Sequence, residues 1–523
     1  MAFESRGGGY NAAVDLLGRN LPTRADKVAF IDAEGRHTFQ DVAERSARTG
    51  AALLGLGLAR GDRVALLLQD GIDFIACFLG AIRVGLVPVP LNTLAPAQDY
   101  AFLLTDSGAR AVVVSEPLAP TLEAGIVLSG WKGSRVGAAG AGGGLARLLA
   151  DAPADIEPAQ SSADDIAFWL YSSGSTGLPK GAPHRHGSLA ATAELFSRQV
   201  FGLHQDDVVF SAAKLFFAYG LGNSLTFPLY AGATCVLFPD RVTPEAVSEQ
   251  LAAHRVTVFC GVPTLYAALV ASRRAVSLSA SSMRLCMSAG EALPAGIARA
   301  WTAATGVEII DGIGSTEMLH IFVSNRPGKI RYGTTGVPVP GYEVRLLAED
   351  GSEVAAGGLG ELHVRGPSMT AGYWNRPEKT SATFVDGWMR TGDKFEMDAE
   401  GFLIHRGRVD DMLKVSGIWV SPVEVEAELM AHDAVAEAAV VGAEDAEGLI
   451  KTKAFVVLKP GMPANSELTN DLKQFVKSRL APHKYPRSIV FVDALPKTTT
   501  GKIRRHVLRD QEAGACGPTE KTG

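Results

Sequence analysis

The sequence predicts an α/β fold with a large N-terminal domain of doubly wound sheets and a small β subdomain, followed by a smaller α+β domain at the C-terminus. Helix-like and strand-like segments alternate through residues 10–130, which is typical of parallel sheets covered by helices. From about Gly333 onward, Gly-rich turns separate short alternating runs, which favours a β subdomain. The 523 residues are too many for one ordinary core, so at least two domains are expected.

The elements near the N-terminus follow from local patterns. Thr38 and Asp41 form a capping-box pair, which predicts a helix that runs to about Leu54 and stops at Gly55. Gly133–Gly144 is rich in Gly and Ala and predicts an irregular connection. The other elements predicted here are the strands Lys27–Asp32, Arg63–Leu68, Val87–Leu91 and Ala111–Ser115, and the helices Phe74–Arg83 and Asp99–Thr105.

A second set of alternating segments predicts a second sheet layer, with ligands bound at the carboxyl ends of its strands. Its predicted strands are Asp207–Ser211, Thr234–Pro239, Val256–Cys260 and Leu285–Ala289, and its predicted helices are Glu245–His254 and Pro263–Ser272. Glu343–Leu347 and Gly360–Arg365 are expected in the β subdomain. The elements predicted past Asp410 are helix Pro422–Met430, strands Ala436–Val441 and Lys453–Leu458, helix Ser466–Leu480 and strand Ile489–Val492.

The composition excludes several functional classes. Hydrophobic residues make up 47% and charged residues 20% of the chain, as in a globular protein. The formal net charge of −6 gives no basic surface for nucleic acid or an anionic membrane, so neither is an expected partner. The run Ile72–Pro90 is interrupted by charged residues and prolines, which indicates a core helix and a strand rather than a membrane span.

The cysteines and the N-terminus predict a cytoplasmic protein. The five cysteines show neither CxxC nor Cys/His metal spacing, which fits a reducing compartment. Met1–Arg6 has no apolar segment of the kind found in secretory signals.

A Gly/Ser/Thr-rich segment, Tyr171–Gly181, follows directly on the apolar strand Ile166–Leu170. Its backbone N–H groups and hydroxyls can close around phosphate oxygens, and Lys180 adds a positive charge. A flexible linker has a similar composition but needs neither a buried strand nor a Lys beside Pro179. A Walker A loop is excluded because the spacing around Lys180 differs from Gly-x4-Gly-Lys-Ser/Thr. The segment therefore predicts a phosphate loop of another kind.

Five motifs in this order resemble those of the acyl-adenylate-forming enzymes, the family of acyl- and aryl-CoA ligases, peptide-synthetase adenylation domains and beetle luciferases. The motifs are Tyr171–Gly181, Asp311–Glu317, Arg390–Asp393, Gly407–Asp411 and Pro496–Lys502. Within the family, the chain most resembles the bacterial benzoate-CoA ligases. The resemblance covers nearly the whole chain and implies an aryl-CoA ligase that uses ATP, Mg²⁺ and CoA. Such an enzyme forms an aryl-adenylate with release of diphosphate and then transfers the acyl group to CoA with release of AMP.

The resemblance also implies that the C-terminal domain is mobile. It gives an N-terminal adenylation domain of residues 1–408, a hinge at residues 409–411 centred on Asp410, and a C-terminal domain of residues 412–523. Gly417 would line the CoA tunnel after the domain rotates. On spacing alone, Asp410 and Gly417 also fit ordinary exposed turns.

Four residues are implied to be catalytic. In the family, Lys502 binds the substrate carboxylate and the bridging phosphate oxygen, and Lys180 belongs to the phosphate loop. Thr316 meets the α-phosphate and Glu317 holds Mg²⁺, a cation that prefers oxygen ligands. Without the resemblance, Thr316 and Glu317 also fit a helix N-terminus, and Lys502 a solvated basic surface. Acetylation of Lys502, which would remove its charge, and a homodimer are two further expectations.

The resemblance assigns two further groups of residues to the nucleotide. Asp393 fits a ribose clamp because one carboxylate can accept from both hydroxyls, and Arg408 would assist it. By themselves, Asp393 is also typical of a turn after Gly392 and Arg408 of a surface charge. The residues implied at the phosphates and the adenine are Ser172, Ser173, Gly174, Ser175, Thr176, Gly177, Gly290, Glu291, Ala292, Asp311, Gly312, Ile313 and Gly314.

An aromatic cluster marks the expected acid pocket. Aromatic walls suit a flat aryl ring, and Phe216, Phe217 and Tyr219 stand together at the family's pocket motif. Relatives often carry His where this chain has Tyr219. Phe216 and Phe217 fit the hydrophobic core equally well. The residues implied in the pocket are Phe217, Tyr219, Gly220, Ala289, Gly314, His320 and Ile321.

The expected substrate is benzoate or a closely related aromatic acid. 4-Hydroxybenzoate, aminobenzoate, cyclohexanecarboxylate, a medium-chain fatty acid and transfer to a carrier-protein thiol stay open as alternatives. A rival of a different class is a nucleotide-binding regulator without catalysis, against which the intact Lys180, Glu317, Asp393 and Lys502 argue. A role in aromatic compound degradation follows from the resemblance alone.

Overall fold

The computed structural model describes residues 9–138, 144–172, 178–278, 282–415, 418–444, 450–481, 484–497 and 503–515. The chain divides into two compact units. The first comprises Met1–Val344 and Val364–Met389, and the second comprises Arg345–His363 and Arg390–Gly523. This division assigns residues 390–408 to the second unit. The domain bounds and the hinge expected from the resemblance stay predictions.

The first unit contains two sheets that are parallel at their centres. The larger sheet has the strand order Val337–Pro338, Ile321–Ser324, Ile309–Gly314, Leu285–Ser288, Val258–Gly261, Val208–Ser211, Thr234–Val236, Val28–Asp32 and Gly35–Thr38. Its inner pairs are parallel and its outer strands run antiparallel. The second sheet is parallel throughout, in the order Val87–Pro90, Arg63–Leu67, Ala111–Ser115 and Ser134–Ala138.

Helices cover these sheets, as the alternating pattern predicts. Their α-helices are Ala12–Gly18, Leu21–Arg24, Phe39–Gly55, Ile72–Arg83, Ala97–Ser107, Ala119–Ser129, Gly144–Asp151, His186–Thr192, Ala218–Leu221, Phe227–Ala231, Pro244–Ala253, Pro263–Ala271, Arg274–Ser277, Ala295–Thr305 and Pro377–Thr383. A 3₁₀ turn spans Glu116–Leu118, and the π-helical segments Ala193–Phe201 and Gly222–Thr226 continue two of the α-helices. One core lies between the larger sheet and its helices, around Phe259, Tyr266 and Trp301.

The capping box at Thr38 is present with both of its hydrogen bonds. Asp41 N donates to Thr38 Oγ1 at 3.1 Å, and Thr38 N donates to Asp41 Oδ2 at 2.8 Å. The helix ends at Gly55, within one residue of the predicted end at about Leu54, and Leu56 is its C-cap. Gly57 has a φ of +81°, so it is the residue whose missing side chain lets the chain leave the helix.

The connection predicted at Gly133–Gly144 is wrong in part. Ser134–Ala138 forms the outer strand of the parallel sheet and pairs with Ala111–Ser115. Small residues favour loops by composition, but this strand pairs with Ala111–Ser115 along its whole length and buries Val136 and Ala138.

The second unit contains the smaller α+β part of the chain. Val435–Glu444 and Ile450–Leu458 pair antiparallel, Ser488–Phe491 joins them in parallel, and Leu413–Val415 pairs with Ile418–Val420. Helices Pro422–Met430, Ser466–Lys477 and Arg505–Ala515 accompany them, and a 3₁₀ turn spans Val409–Asp411.

The strands of the β subdomain are Glu343–Leu347, Leu359–Arg365, Phe384–Val385, Trp388–Met397 and Leu403–Arg408. Across the described residues, every helix is too short or too polar to span a bilayer.

Candidate active site

The predicted phosphate loop joins two antiparallel strands. Ile166–Ser172 pairs with Lys180–Arg185, with Ser172 opposite Lys180. The pairing therefore brings these two predicted site residues together. Ser173, Gly174, Ser175, Thr176 and Gly177 lie outside the described residues.

The base of this loop is fixed through Tyr171, the first residue of the motif. Its hydroxyl donates to Asp106 Oδ2 at 2.8 Å, and Arg376 Nη2 donates to Asp106 Oδ1 at 2.7 Å. Asp106 is nearly buried, with 8% of its side chain exposed, so both bonds are shielded from water. The strand end that leads into the loop is thereby held to helix Ala97–Ser107, which carries Asp106.

Lys180 and Glu317, predicted from separate motifs, meet at one phenol. The Tyr373 hydroxyl donates to Glu317 Oε1 at 2.7 Å. Lys180 Nζ lies 3.4 Å from the same hydroxyl oxygen and 4.4 Å from the centre of the Tyr373 ring. Trp374 N also donates to Gly181 O at 2.8 Å, so the segment that carries Tyr373 is joined to the loop strand.

Tyr373 has no sequence signal that separates it from a packing residue. A single Tyr in a loop indicates no particular chemistry. Tyr373 is important here because its hydroxyl contacts Lys180 and Glu317, which are distant from it along the chain. Only the folded arrangement identifies it.

Thr316 and Glu317 lie between Ile309–Gly314 and Ile321–Ser324, two antiparallel strands of the larger sheet. No helix begins there, so the helix N-terminus considered from the sequence is wrong for this part of the described chain. His184 Nε2 donates to Thr316 O at 2.8 Å. Burial lowers the pKa of His184 to about 4, so the ring is neutral and supports the backbone of Thr316 without adding charge.

The residues expected at the adenine follow two adjacent parallel strands. Leu285–Ser288 pairs with Ile309–Gly314, with Ser288 opposite Asp311. Both strands end at the same edge of the sheet, where Gly290, Glu291 and Ala292 follow the first strand and Gly312, Ile313 and Gly314 complete the second.

Asp311 has an unusual environment at this edge. Burial raises the pKa of its carboxyl well above the usual range, and Oδ1 has no hydrogen-bond partner among the described residues. An unpaired buried polar atom is costly, and a ligand that supplies a hydrogen-bonding partner would remove that cost. The amino group of a purine has this chemistry.

Asp393 and Arg408 face each other in the second unit. They are directly opposite on the paired strands Trp388–Met397 and Leu403–Arg408, and Arg408 Nη1 lies 3.5 Å from Asp393 Oδ2. His405 Nε2 lies 3.3 Å from Asp393 Oδ1 and is a neighbour that the sequence did not indicate. Asp393 belongs to a strand, so the turn alternative is wrong; Arg408 is exposed, as a surface charge would be.

In the predicted aryl pocket, Tyr219 and His320 lie side by side. Their ring centres are 5.7 Å apart, and Tyr219 Oη lies 3.2 Å from Gly261 O and 3.3 Å from Met287 O. Burial lowers the pKa of His320 to about 3 and raises that of Tyr219 well above its usual value. Both rings are neutral at physiological pH, which suits an uncharged aromatic ring better than a carboxylate.

His320 is fixed by a second layer of aromatic side chains. The Phe196 and Phe227 rings lie 5.4 Å and 4.5 Å from the imidazole, centre to centre. Phe196 belongs to the π-helical segment Ala193–Phe201, and Gly222 begins the π-helical segment Gly222–Thr226. A Cβ atom on Gly222 would lie 2.4 Å from His320 Cδ2, so only Gly fits there.

The other predicted pocket residues differ in exposure. Phe216 is buried and belongs to the core, whereas Phe217 is half-buried, with its ring centre 4.2 Å from that of Phe216 and its plane tilted by 50°. Ala289, Ile321 and Gly220 are buried, and Gly314 is half-buried beside the His320 backbone.

Three predicted residues have less structural detail. Lys502 and Gly417 lie outside the described residues. Asp410 is exposed in the 3₁₀ turn Val409–Asp411. No group of three or more His, Cys, Asp or Glu side chains in the described part of the chain could hold a metal ion. A single carboxylate such as that of Glu317 is compatible with Mg²⁺, which takes one or two protein carboxylates and completes its shell with phosphate and water.

The chain is similar in sequence and in fold to known proteins of one family. Residues 18–374 match the model of the AMP-binding enzyme family, and residues 424–502 match that of the AMP-binding enzyme C-terminal domain. A benzoate–CoA ligase of Thauera aromatica is 55% identical over 504 residues, 96% of each chain. A benzoate CoA ligase structure from Burkholderia xenovorans LB400 is 49% identical, with a TM-score of 0.89 over 96% of this chain and 100% of that one. The anthranilate CoA ligase AuaEII in complex with anthranoyl-AMP is 42% identical, with a TM-score of 0.94 over 98% of this chain and 100% of that one.

Proposed function

The chain belongs to the AMP-binding enzyme family, and we propose that it is an AMP-forming acid–thiol ligase that acts on benzoate. It converts benzoate, ATP and CoA to benzoyl-CoA, AMP and diphosphate through a benzoyl-adenylate. One observation carries the choice of substrate: the identity of 55% to a benzoate–CoA ligase spans 96% of both chains.

The meeting of Lys180 and Glu317 at Tyr373 supports adenylate chemistry. The reaction brings a carboxylate and a triphosphate together, so positioning and charge neutralisation dominate catalysis. We assign Lys180 and the residues around it to the phosphates, Thr316 to the α-phosphate and Glu317 to Mg²⁺. When bound, Mg²⁺ neutralises phosphate oxygens, while Tyr373 keeps the Glu317 carboxylate in place.

The neutral pair of Tyr219 and His320 supports a short aromatic pocket. Because His320 is backed by Phe196 and Phe227, the pocket cannot lengthen by moving this ring. Benzoate is expected to fit, and a long alkyl acid such as octanoate is expected to be rejected. We place the expected contacts with the ring at Phe217, Tyr219 and His320.

The test is ATP- and Mg²⁺-dependent AMP formation with CoA, measured for benzoate, 2-fluorobenzoate, 4-hydroxybenzoate, aminobenzoate, cyclohexanecarboxylate and octanoate. Benzoate should give the highest kcat/KM. Preference for octanoate would retain the ligase chemistry and refute the aromatic pocket. No AMP with any acid would favour the nucleotide-binding regulator.

A second experiment tests the two half-reactions separately. Lys502→Ala should slow adenylation by ~10²-fold or more, which is the scale for losing one preorganised charge-stabilising donor. The rate of diphosphate exchange measures this half-reaction. Thioester formation from preformed benzoyl-adenylate should persist. Lys497→Ala is the matched control, since Lys497 Nζ is engaged by Glu437 Oε1 at 2.7 Å. Equal loss in both half-reactions would contradict the domain rotation and the hinge at Asp410.

The remaining assignments rest on family membership and on single features of the chain. Cys77, Cys235, Cys260 and Cys286 are buried free thiols, which supports the cytoplasm as the compartment. Gly417 in the CoA tunnel, Asp393 and Arg408 at the ribose, a homodimer and acetylation of Lys502 stay predictions.

A further inference from the structure

A buried carboxylate lies outside every motif assigned so far. Asp70 is only 6% exposed and stands between strand Arg63–Leu67 and helix Ile72–Arg83, at the carboxyl end of the parallel sheet. Its Oδ1 accepts a hydrogen bond from Leu215 N at 3.1 Å. Leu215 follows Val208–Ser211, a strand of the other sheet, so this bond joins the carboxyl ends of two sheets.

The segment that Asp70 holds leads directly into the aryl pocket. Lys214 Nζ donates to Asp240 O at 2.8 Å and to Phe238 O, which fixes the residue just before Leu215. Phe217 N donates to Lys214 O at 3.0 Å, and a Cβ atom on Gly220 would lie 2.0 Å from the same oxygen. The backbone at Lys214 therefore sets where Phe217 and the helix that carries Tyr219 begin.

We propose that Asp70 is a positioning residue for the aryl substrate: through Leu215 N–H it holds the segment of residues 213–219 so that Phe217 and Tyr219 meet the ring. The proposal rests on the proposed function, because it assigns Phe217 and Tyr219 to the acid. It goes beyond that function because Asp70 contacts neither the expected ring nor the expected nucleotide residues in the described contacts.

The charges around Asp70 agree with a positional role. Lys214 faces it from the held segment, and Cys235 faces it from strand Thr234–Val236 of the larger sheet. Burial raises the pKa of Cys235, so its thiol is neutral and Lys214 is the neighbouring charge. The attraction between Asp70 and Lys214 adds to the hydrogen bond at Leu215 and acts on the same segment.

The experiment compares Asp70→Leu with Asp70→Asn in the full-length enzyme. The Leu variant removes the acceptor for Leu215 N–H, whereas the Asn variant keeps an oxygen acceptor of the same shape. Asp70→Leu should raise the KM for benzoate by about tenfold or more, since the Leu215 amide then stays buried and unpaired. The KM for ATP should change by less than about twofold because the nucleotide residues keep their supports. Asp70→Asn should restore the KM for benzoate to within about threefold of the wild-type value.

Asp73→Asn is the matched control. Asp73 lies three residues after Asp70, in helix Ile72–Arg83, and accepts from Arg45 Nη2 at 2.5 Å, away from the pocket segment, so both KM values should stay at wild-type levels. An equal rise in the KM for benzoate and for ATP in Asp70→Leu would show a general structural defect and overturn the proposal. Wild-type values in that variant would overturn it as well.

A binding measurement separates this proposal from the proposed function. The benzoate-induced shift in the melting temperature needs no turnover, and it should be smaller in Asp70→Leu than in Asp70→Asn and the wild type. If the wild type forms no AMP but shows this order of shifts, the ligase function fails and the role of Asp70 stands. If benzoate shifts none of the proteins, or shifts all of them equally, the role of Asp70 is refuted. If Asp70→Leu does not fold, an Asp70→Asn variant with a wild-type KM for benzoate supports the acceptor role, and one with equal rises in both KM values opposes it.

Discussion

Replacing Asp70 by Asn should stabilise the folded protein at neutral pH, because the native carboxylate is held at a cost. Burial raises the pKa of Asp70 from 3.8 to about 6, although Lys214 and Leu215 N–H oppose the change. Each tenfold change in a proton equilibrium is worth ~1.4 kcal/mol, so ionised Asp70 lowers the free energy of unfolding by about 3 kcal/mol. The amide carries no charge and avoids this penalty, so about 3 kcal/mol is the upper bound of the gain.

The dependence on pH has a defined sign. The folded protein binds the Asp70 proton more tightly than the unfolded chain, so the wild type loses stability as the pH rises from about 4 to about 6. The Asn variant has no such proton. The difference in melting temperature between the variant and the wild type should therefore increase over this interval and stay constant above it.

Thermal unfolding between pH 4.5 and pH 8 measures this difference, with Asp73→Asn as the control. Asp73 is partly exposed and paired with Arg45, so its replacement should give no gain that grows toward neutral pH. A variant at Asp70 that is less stable than the wild type at pH 7.5 would refute the reasoning that burial dominates at this carboxylate. A gain that does not vary with pH would refute the assignment to its ionisation.

Two further substitutions test the site. Gly222→Ala places a methyl group 2.4 Å from His320 Cδ2, and overpacking of this kind costs ~1–3 kcal/mol, so kcat/KM for benzoate should fall by about fivefold or more while the KM for ATP changes little. An unchanged kcat/KM would show that His320 can move. Tyr373→Phe removes the 2.7 Å bond to Glu317, which as a bond to a charged group is worth ~1.5–3 kcal/mol, so diphosphate exchange should need a higher Mg²⁺ concentration for half-maximal rate. An identical Mg²⁺ dependence would contradict the role of Tyr373.

Local patterns in the sequence predicted most of the elements because their causes are local. The capping box at Thr38, the strand Ala111–Ser115 and the helix Pro422–Met430 occur where these patterns place them. Ser134–Ala138 was not predicted as a strand because small residues carry little β preference, and its pairing with Ala111–Ser115 joins residues that are distant along the chain. The helical segments from His186 to Ala231 were not predicted. Two of them are π-helical, and the spacing of apolar residues in a sequence does not indicate this geometry.

Some residues of the candidate site could be predicted from the sequence and others could not. Lys180, Thr316 and Glu317 carry charge or a hydroxyl in recognisable motifs, so the sequence indicates them. Tyr373 acts through Glu317, 56 residues away along the chain, and Asp70 acts through Leu215, 145 residues away. The sequence around Tyr373 or Asp70 does not indicate these contacts. Residues that organise a site from a distance become visible only when the chain is folded.

The two π-helical segments beside His320 form a part of the aryl pocket wall that a change of one residue in length can reshape. A π turn holds one residue more than an α turn, so removing one residue from Ala193–Phe201 would restore α geometry and leave the flanking helix intact. Phe196 would then rotate away from His320, and the cavity would change shape although no pocket side chain had been replaced. Single-residue insertions and deletions therefore offer an evolutionary path to new aromatic acids that leaves the nucleotide machinery untouched.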